Sequence, residues 1–474
     1  MSTQTKKGGF SGSIGFVLAA AGSAVGLGNL WRFPTLANKY GGGLFLIVYL
    51  ILVLTFGFSL LITDITIGRK TGKSSLEAFK AVHPKWGFLG KLTFLVPSII
   101  VTYYVVIGGW ILKYMVSSVT EFKATAGTGY FGSFVSDKDS PMIFWMLIYL
   151  AITAFIVYCG VEKGIEKFSK YIMPALLMLI IGIAVFVLFS KNDATGKTGF
   201  EGFIGYIKPN FDDLKTDGSI DISKVMNLLL DAMSQLFFSL SVAMGIMITY
   251  GSYVKKDINL NKSVKQIEIF DTIVAFLAGM IVIPAVYTFA SLGNIAKPGP
   301  GVIFDVLPKV FASMGVAGRF IGPIFFVMVA FAALTSSVSI MEAIVGACSE
   351  TFKTSRKKIS LIIAGIAAVA AVVVCLGYSS LSFGVTLPTG AQNQNLLDIL
   401  DYVSNNLLMP IISLLTCIVI GWVVKPKWIV EEIESSGHKF KMRTFYTIMI
   451  RYVAPIMMVL LLLQSLGVFK FLSK

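Results

Sequence analysis

The sequence predicts an all-α polytopic membrane protein of eleven transmembrane helices. They form two inverted repeats of five helices, with helices one and six broken, plus one extra C-terminal helix. Three observations lead there. Hydrophobic residues make up 55% of the 474 residues and charged residues 14%, with a mean hydropathy of +0.80. A soluble domain carries roughly 25% charged residues, so this chain cannot cover a soluble surface, and disorder would need few apolar residues and much charge. Second, the apolar residues gather into stretches near the roughly 20 residues that cross a bilayer. Third, two of those stretches, five apart, are interrupted by small polar residues.

Hydropathy places the spans at 14–37, 44–68, 89–117, 142–159, 171–189, 225–253, 267–292, 320–349, 359–377, 396–424 and 446–469. Several exceed a perpendicular crossing, which implies tilt or a break. Span one is interrupted by Gly22-Ser23-Ala24-Val25-Gly26-Leu27-Gly28-Asn29, and span six by Ser239-Leu240-Ser241-Val242-Ala243-Met244-Gly245. Paired interruptions in corresponding spans of two halves mark an inverted-repeat transporter. The expected organisation is a first repeat over residues 1–190, an extracellular loop over 191–224 and a second repeat over 225–424. That second repeat carries an extracellular lid at 294–316, and a cytoplasmic loop with span eleven occupies 425–474.

Lys and Arg set the expected orientation. With the N-terminus inside, 25 of the 40 basic residues fall on inside segments, while outer loops carry acids such as Asp212, Asp213, Asp217 and Asp221. The N-terminus is therefore expected in the cytoplasm of a cell whose plasma or inner membrane the chain spans, and the C-terminus outside. The net charge of +15 then belongs to a rim facing anionic membrane lipid. With no basic soluble domain, nucleic acid is not an expected partner. No cleavable signal peptide is evident, since the first apolar run continues into further spans.

Cys159, Cys348, Cys375 and Cys417 lie far apart without metal spacing, and the only histidines, His83 and His438, sit in polar loops. Catalysis by a buried histidine is thereby removed. No GxSxG or HExxH occurs. The stretch Gly68-Arg69-Lys70-Thr71-Gly72-Lys73-Ser74 is one residue short of a P-loop. The chain is not expected to be an enzyme.

A broken span exposes peptide groups that lipid cannot satisfy, so it persists only where it lines a polar cavity or binds something. The half-helix before the break ends in carbonyls, which suit a cation. The half-helix after it begins with free N–H groups, which suit a carboxylate. Asn29 adds an amide oxygen and Arg32 a fixed charge. Close helix packing is the alternative reading of such small residues. In span eight, Thr335 and Ser336 offer hydroxyls to a hard cation, unless they bond back to the preceding turn. Asp271 in span seven is an intramembrane acid, a functional signal by default.

The run Ala19–Pro34 (AAAGSAVGLGNLWRFP) with Gly41–Gly43, the segment Gly299–Pro308 (GPGVIFDVLP) and the segment Ala333–Ala343 (ALTSSVSIMEA) carry a resemblance across nearly the whole chain. The sequence resembles the neurotransmitter:sodium symporter family, prokaryotic branch. That resemblance implies sodium-driven amino-acid uptake with two Na+ ions. It assigns sodium site one to Ala24, Asn29, Ser239 and Asp271, and sodium site two to Gly22, Val25, Ala332, Thr335 and Ser336. The substrate carboxylate would meet Leu27, Gly28 and Tyr104, and the ammonium the carbonyls of Ala24, Phe238 and Ser239. Ile100, Tyr104, Phe238, Ser241, Met244, Ser336 and Ile340 would hold the side chain. Arg32 with Asp401 would form the external gate, and Lys7 with Glu350 the cytoplasmic one, with Tyr253 and Glu342 nearby.

Departures sharpen the expectation. Gly26 stands where monoamine carriers have an Asp, which favours an amino acid over a decarboxylated amine. Tyr49, Gln235 and Ser239 match the chloride ligands of chloride-dependent members, but Asp271 replaces their asparagine. A resident carboxylate implies chloride independence. Lys7 replaces an arginine and Phe10 a tryptophan, and lysine lacks the bidentate fork. The mostly apolar pocket implies a neutral, hydrophobic or aromatic amino acid. A sensor that binds without transporting, or an ion channel on the same scaffold, is the alternative.

Overall fold

A computed structural model describes residues 9–290 and 300–469. Nearly everything regular in it is helix. The exception is a hairpin pairing Lys215–Thr216 with Ser219–Ile220, turned by Asp217 and Gly218, both at positive φ. The principal helices are α1a (Ser13–Ala24), α1b (Gly28–Lys39), α2 (Gly43–Thr71), α3 (Pro84–Thr120), α4 (Met142–Tyr158), α5 (Val161–Leu188), α6a (Ile222–Ser239), α6b (Ile246–Gly251), α7 (Leu260–Phe289), α8 (Gly318–Thr351), α9 (Arg356–Leu376), α10 (Leu396–Val423) and α11 (Arg443–Ser465). Among the described residues eight helices are long and apolar enough to cross a membrane, and nine if the bent pair α1a/α1b is one span.

Burial sorts the helices into a centre and a shell. In their most apolar stretches α3 is 78% and α8 83% buried, against 33% for α5, α9 and α11. The shell exposes Phe155, Tyr171, Met178, Val369 and Ile456. Large apolar side chains exposed in this number mark a surface that meets lipid or protein rather than water.

Both expected interruptions are present. α1a and α1b meet at 55°, and α1b opens with a π-helical turn over Gly28–Arg32. Between α6a and α6b, Ser241, Ala243 and Gly245 all take positive φ. For the two non-glycine residues this costs about 1–2 kcal/mol each, so other contacts must hold the turn. The Ala243 N–H donates to the Asp64 carboxylate on α2 at 3.0 Å, and Ser241 Oγ donates to the Ser23 carbonyl at 3.0 Å. At Gly245 a Cβ would sit 2.7 Å from Ser75 Cβ, so only glycine fits there.

Helix starts are capped by short polar side chains, which moves several boundaries by a few residues. Asp221 accepts from the Ser223 N–H and starts α6a at Ile222 rather than the expected 225. Asn259 caps α7 through the Lys262 N–H.

At the end of the bundle that carries the N-terminus, Arg69 closes α2 with a side chain fully buried. Its guanidinium donates to the Glu432 carboxylate at 2.9 Å, to the Ile258 carbonyl at 2.7 Å and to the Glu432 carbonyl. Lys256 adds a second contact to Glu432 at 2.7 Å, and Lys70 donates to the Trp428 carbonyl. One arginine thus ties α2 to the loop before α7 and to the short helix Lys427–Glu434.

Candidate substrate and sodium sites

The two broken helices face each other across a buried cavity. Its walls are Ser23, Ala24, Gly26, Leu27, Gly28 and Asn29 from the first break, Ile100 and Tyr104 from α3, Phe238, Ser239, Ser241 and Met244 from the second, and Ser336 and Ile340 from α8. Every residue expected at the substrate lies in this wall. Ser23, Gly26 and Asn29 join them, because the unwound segment turns consecutive residues toward the same space. The backbone approaches closely: a Cβ on Gly28 would meet the Phe238 ring at 2.6 Å, and one on Gly26 the Ser336 Oγ at 2.8 Å.

Polarity in the cavity is divided. Leu27, Ile100, Phe238, Met244 and Ile340 make one part apolar. At the other, the Tyr104 hydroxyl lies next to Ser336 and the Leu27 N–H, but is buried without a hydrogen bond of normal geometry. A buried unpaired hydroxyl costs about 1–3 kcal/mol. With the free N–H groups after the break, it forms a donor cluster suited to a carboxylate.

Beside the cavity, Asp271 is fully buried midway along α7. It is not an interfacial acid at a helix end. Asn29 Nδ2 donates to its Oδ1 at 2.8 Å, and Ser239 Oγ lies 2.9 and 3.0 Å from its two oxygens. Asn29 Oδ1 accepts the Gly26 N–H at 3.1 Å, which pins the break to α7. Gln235 Nε2 donates to the Gly28 carbonyl at 3.1 Å, leaving Gln235 Oε1 buried and unpaired. The Tyr49 hydroxyl, next to Ser239 and Asp271, is equally without a bond of normal geometry. A buried carboxylate ringed by spare oxygens is a hard-cation environment.

A second oxygen cluster lies where α8 meets the break. Ser336 Oγ is 3.4, 3.2 and 3.1 Å from the carbonyl oxygens of Gly22, Ser23 and Val25. Thr335 Oγ1 instead bonds back along its own helix, to the Phe331 and Ala332 carbonyls at 3.1 and 3.0 Å. It still packs against Gly22, where a Cβ would stand 3.2 Å from Thr335 Cβ. The Ser23 carbonyl is the member of this cluster that sequence reasoning missed.

The gate residues are arranged differently from expectation. Arg32 and Asp401 face each other but form no ion pair within 4 Å. Arg32 donates to Ser234 Oγ at 2.7 Å, and Asp401 accepts from Asn405 Nδ2 at 2.7 Å. Each charge is satisfied by a nearer neutral partner. Arg32 lines a wide vestibule with Asp231, Asn405 and Gln464. At the other end, Lys7 lies outside the described residues. Glu350 binds the Ser74 N–H and hydroxyl at 3.0 and 2.9 Å and Lys73 at 3.1 Å. Tyr253, expected near this gate together with Glu342, donates to it at 2.8 Å. Sequence reasoning missed Arg356, whose guanidinium grips both Glu342 oxygens. Fourteen residues separate them along the chain, with no helical periodicity to signal contact. Just before α1a, the Phe10 N–H donates to the Tyr253 carbonyl at 3.2 Å, and the Ser11 N–H donates to Glu166 at 2.8 Å.

Comparison with known proteins agrees with this architecture. A sequence model described as the Sodium:neurotransmitter symporter family matches residues 7–127 and 136–473. The chain belongs to the sodium:neurotransmitter symporter family. As a family member it is a multi-pass, sodium-coupled transporter of a small molecule rather than an enzyme. The symporter is 31% identical to the uncharacterized sodium-dependent transporter YhdH of Bacillus subtilis (strain 168), over 98% of each chain. It is 28% identical to an uncharacterized sodium-dependent transporter of Haemophilus influenzae, over 96% of this chain and 98% of that one. Among solved structures it is similar to MhsT in complex with L-phenylalanine, at TM-score 0.82 and 31% identity, covering 97% of this chain and all of that one.

Proposed function

We propose that the protein is a symporter of a neutral, hydrophobic or aromatic amino acid, driven by two sodium ions and independent of chloride. The cavity between the breaks carries this reading: donors without partners at one end, an apolar wall at the other, and Asp271 beside them. The substrate carboxylate would meet Leu27, Gly28 and Tyr104, and the ammonium the carbonyls of Ala24, Phe238 and Ser239. One ion would sit among Ala24, Asn29, Ser239, Asp271 and the substrate carboxylate. The other would sit among Gly22, Val25, Ala332, Thr335 and Ser336, with the Ser23 carbonyl in reach. L-phenylalanine in the related MhsT structure supports an aromatic substrate.

An ion bound partly by the substrate raises substrate affinity, and the coupling is reciprocal. Two ions with one zwitterion move two charges. At 100 mV each is worth about 2.3 kcal/mol, and a tenfold sodium gradient adds about 1.4 kcal/mol per ion. The sum, roughly 7 kcal/mol, caps accumulation near 10⁵-fold by the same arithmetic. The two breaks, five principal helices apart, support the inverted repeat, and α4 with α6a/α6b completes eleven crossings. The N-terminus is cytoplasmic and the C-terminus outside, and Arg32 with Asp401 and Glu350 with Lys7 guard the two ends. Alternating access rocks α1, α2, α6 and α7 against the remainder.

Uptake of twenty labelled amino acids into proteoliposomes, with and without a sodium gradient, tests the proposal. Aromatic and large aliphatic substrates accumulate only with the gradient, and replacing chloride by gluconate leaves the rate unchanged. Uptake at background without chloride would end the claim of chloride independence. Tyr104→Phe removes the spare hydroxyl while leaving the apolar wall. Its expected effect is a rise of about tenfold in the substrate concentration for half-maximal uptake, given about 1.5 kcal/mol for a bond to a charged group. An unchanged value would place the carboxylate elsewhere.

A further inference from the structure

A groove between α2 and α7 opens on the lipid-facing surface at the α7 half nearest the N-terminal end. Its walls include Leu54 and Ile269, both more than half exposed, and Met442 closes one end. In this apolar setting stands Glu268, only 2% exposed. It makes no hydrogen bond and no ion pair within 4 Å to any described residue, and its Oε1 is buried without a partner. Thr272 Oγ1, one turn further along the groove, is buried and unpartnered too. Acids within a membrane face the bundle interior and pair there. This one lines an apolar groove and has no such partner among the described residues.

Lys265 completes the pattern. It lies three residues before Glu268 on the same helix face and lines the same groove, with Cβ atoms about 5–6 Å apart at that spacing. Glu268 lies eight residues into α7, about 12 Å along it at 1.5 Å per residue. Lys265, five residues in and about 8 Å along, is at the inner edge of a headgroup zone of roughly 5–8 Å per side, and Glu268 stands one helical turn deeper. With its phosphate at Lys265, an ethanolamine headgroup reaches Glu268 by folding its ammonium inward over the two carbons that separate the charges.

We propose that this groove is a binding site for an amine-bearing phospholipid, with the primary ammonium on Glu268, the phosphate on Lys265 and an acyl chain along Leu54 and Ile269. The ammonium N–H groups supply what the carboxylate lacks. A quaternary choline head has no N–H to give, so the site discriminates between two zwitterionic lipids of equal charge. Thr272 adds a hydroxyl beside the ammonium. The proposal rests on membrane embedding alone and not on the identity of the transported solute.

The full-length protein is delipidated stepwise in detergent with equimolar phosphatidylethanolamine, its N-methyl and N,N-dimethyl derivatives and phosphatidylcholine. Retained lipid is counted by native mass spectrometry. Phosphatidylethanolamine is expected to be retained about tenfold over phosphatidylcholine, the ratio corresponding to 1.4 kcal/mol, with the methylated lipids stepping down between them. Glu268→Gln should bring the ratio near one, and Lys265→Ala should lower retention of all four together. Equal retention of the four lipids by the wild-type protein, or a preference that survives Glu268→Gln, means adventitious lipid only and overturns the site. Should Glu268→Gln fail to fold, the methyl series on the wild-type protein decides alone, because the preference must fall as each N–H is lost.

Discussion

Replacing Asp271 by Asn is expected to bring sodium-driven uptake in chloride-free medium to background. The substitution keeps the shape and removes the charge. Asp271 is the acidic member of a buried group whose other members, Asn29, Ser239, Gln235 and Tyr49, are neutral. An anion about 4 Å from a cation is worth about 4 kcal/mol at an effective dielectric near 20, or roughly a thousandfold in ion affinity. The Asn amide nitrogen also cannot accept the Ser239 hydroxyl that now reaches both oxygens. Physiological sodium would then leave the site nearly empty. Chloride should restore part of the uptake, because a bound anion next to Tyr49, Gln235 and Ser239 replaces the missing charge. Sodium titrations of uptake with and without chloride measure both effects. A half-saturating sodium concentration shifted less than tenfold would remove Asp271 from the ion site. Asn29→Ala is the companion variant. It strips a hydrogen bond from Asp271 and orphans the Gly26 N–H, so uptake should require at least tenfold more sodium at about 1–3 kcal/mol per orphaned group.

Gly68→Ala is expected to cost about 3 kcal/mol of stability, at the top of the range for overpacking. A Cβ there would lie 1.8 Å from the Ile248 carbonyl oxygen and 2.9 Å from the Ser252 nitrogen, backbone of α6b and of the residue that follows it. No rotamer change relieves such a clash. The contact is reciprocal, since a Cβ on Gly251 would lie 2.1 Å from the Ile65 carbonyl oxygen. Small residues on both sides let α2 and α6b touch main chain to main chain. The control is Gly182→Ala in the lipid-facing α5, where a Cβ meets nothing within 4 Å. Thermal unfolding in detergent should show a clear fall in Tm for the first variant and none for the second. Equal melting of the two would mean that the α2–α6b approach is looser than drawn.

Much of the cavity was legible because breaks in membrane helices carry a compositional signature. Gly22, Gly26 and Gly28 in one span and Ser239, Ser241 and Gly245 in another pointed to peptide groups freed from helical bonding rather than to close packing alone, and both lie where the structure unwinds. The apolar wall residues followed from the resemblance and share one cavity. The charged pairs were less legible. Arg32 reaches Ser234 before Asp401, and Glu350 is held by Lys73 and Ser74. A long charged side chain takes the nearest adequate partner, and that choice depends on loop paths that hydropathy does not encode. Arg356 on Glu342 and Asp64 on the Ala243 N–H were invisible for the same reason: neither pair shares a helix face. The distinction between a hydroxyl aimed at a cation and one bonded back along its helix, as at Thr335, needs coordinates.

The buried Arg69 has a mechanical corollary. Three acceptors from the segments after α6b and α10 converge on one planar guanidinium at the tip of α2. A pivot of α2 would tow the amphipathic segment Lys427–Glu434, which Arg69 and Lys70 bind at the end of that helix. If α2 tilts during transport, this cluster must move with it, and a probe on Trp428 would report the motion.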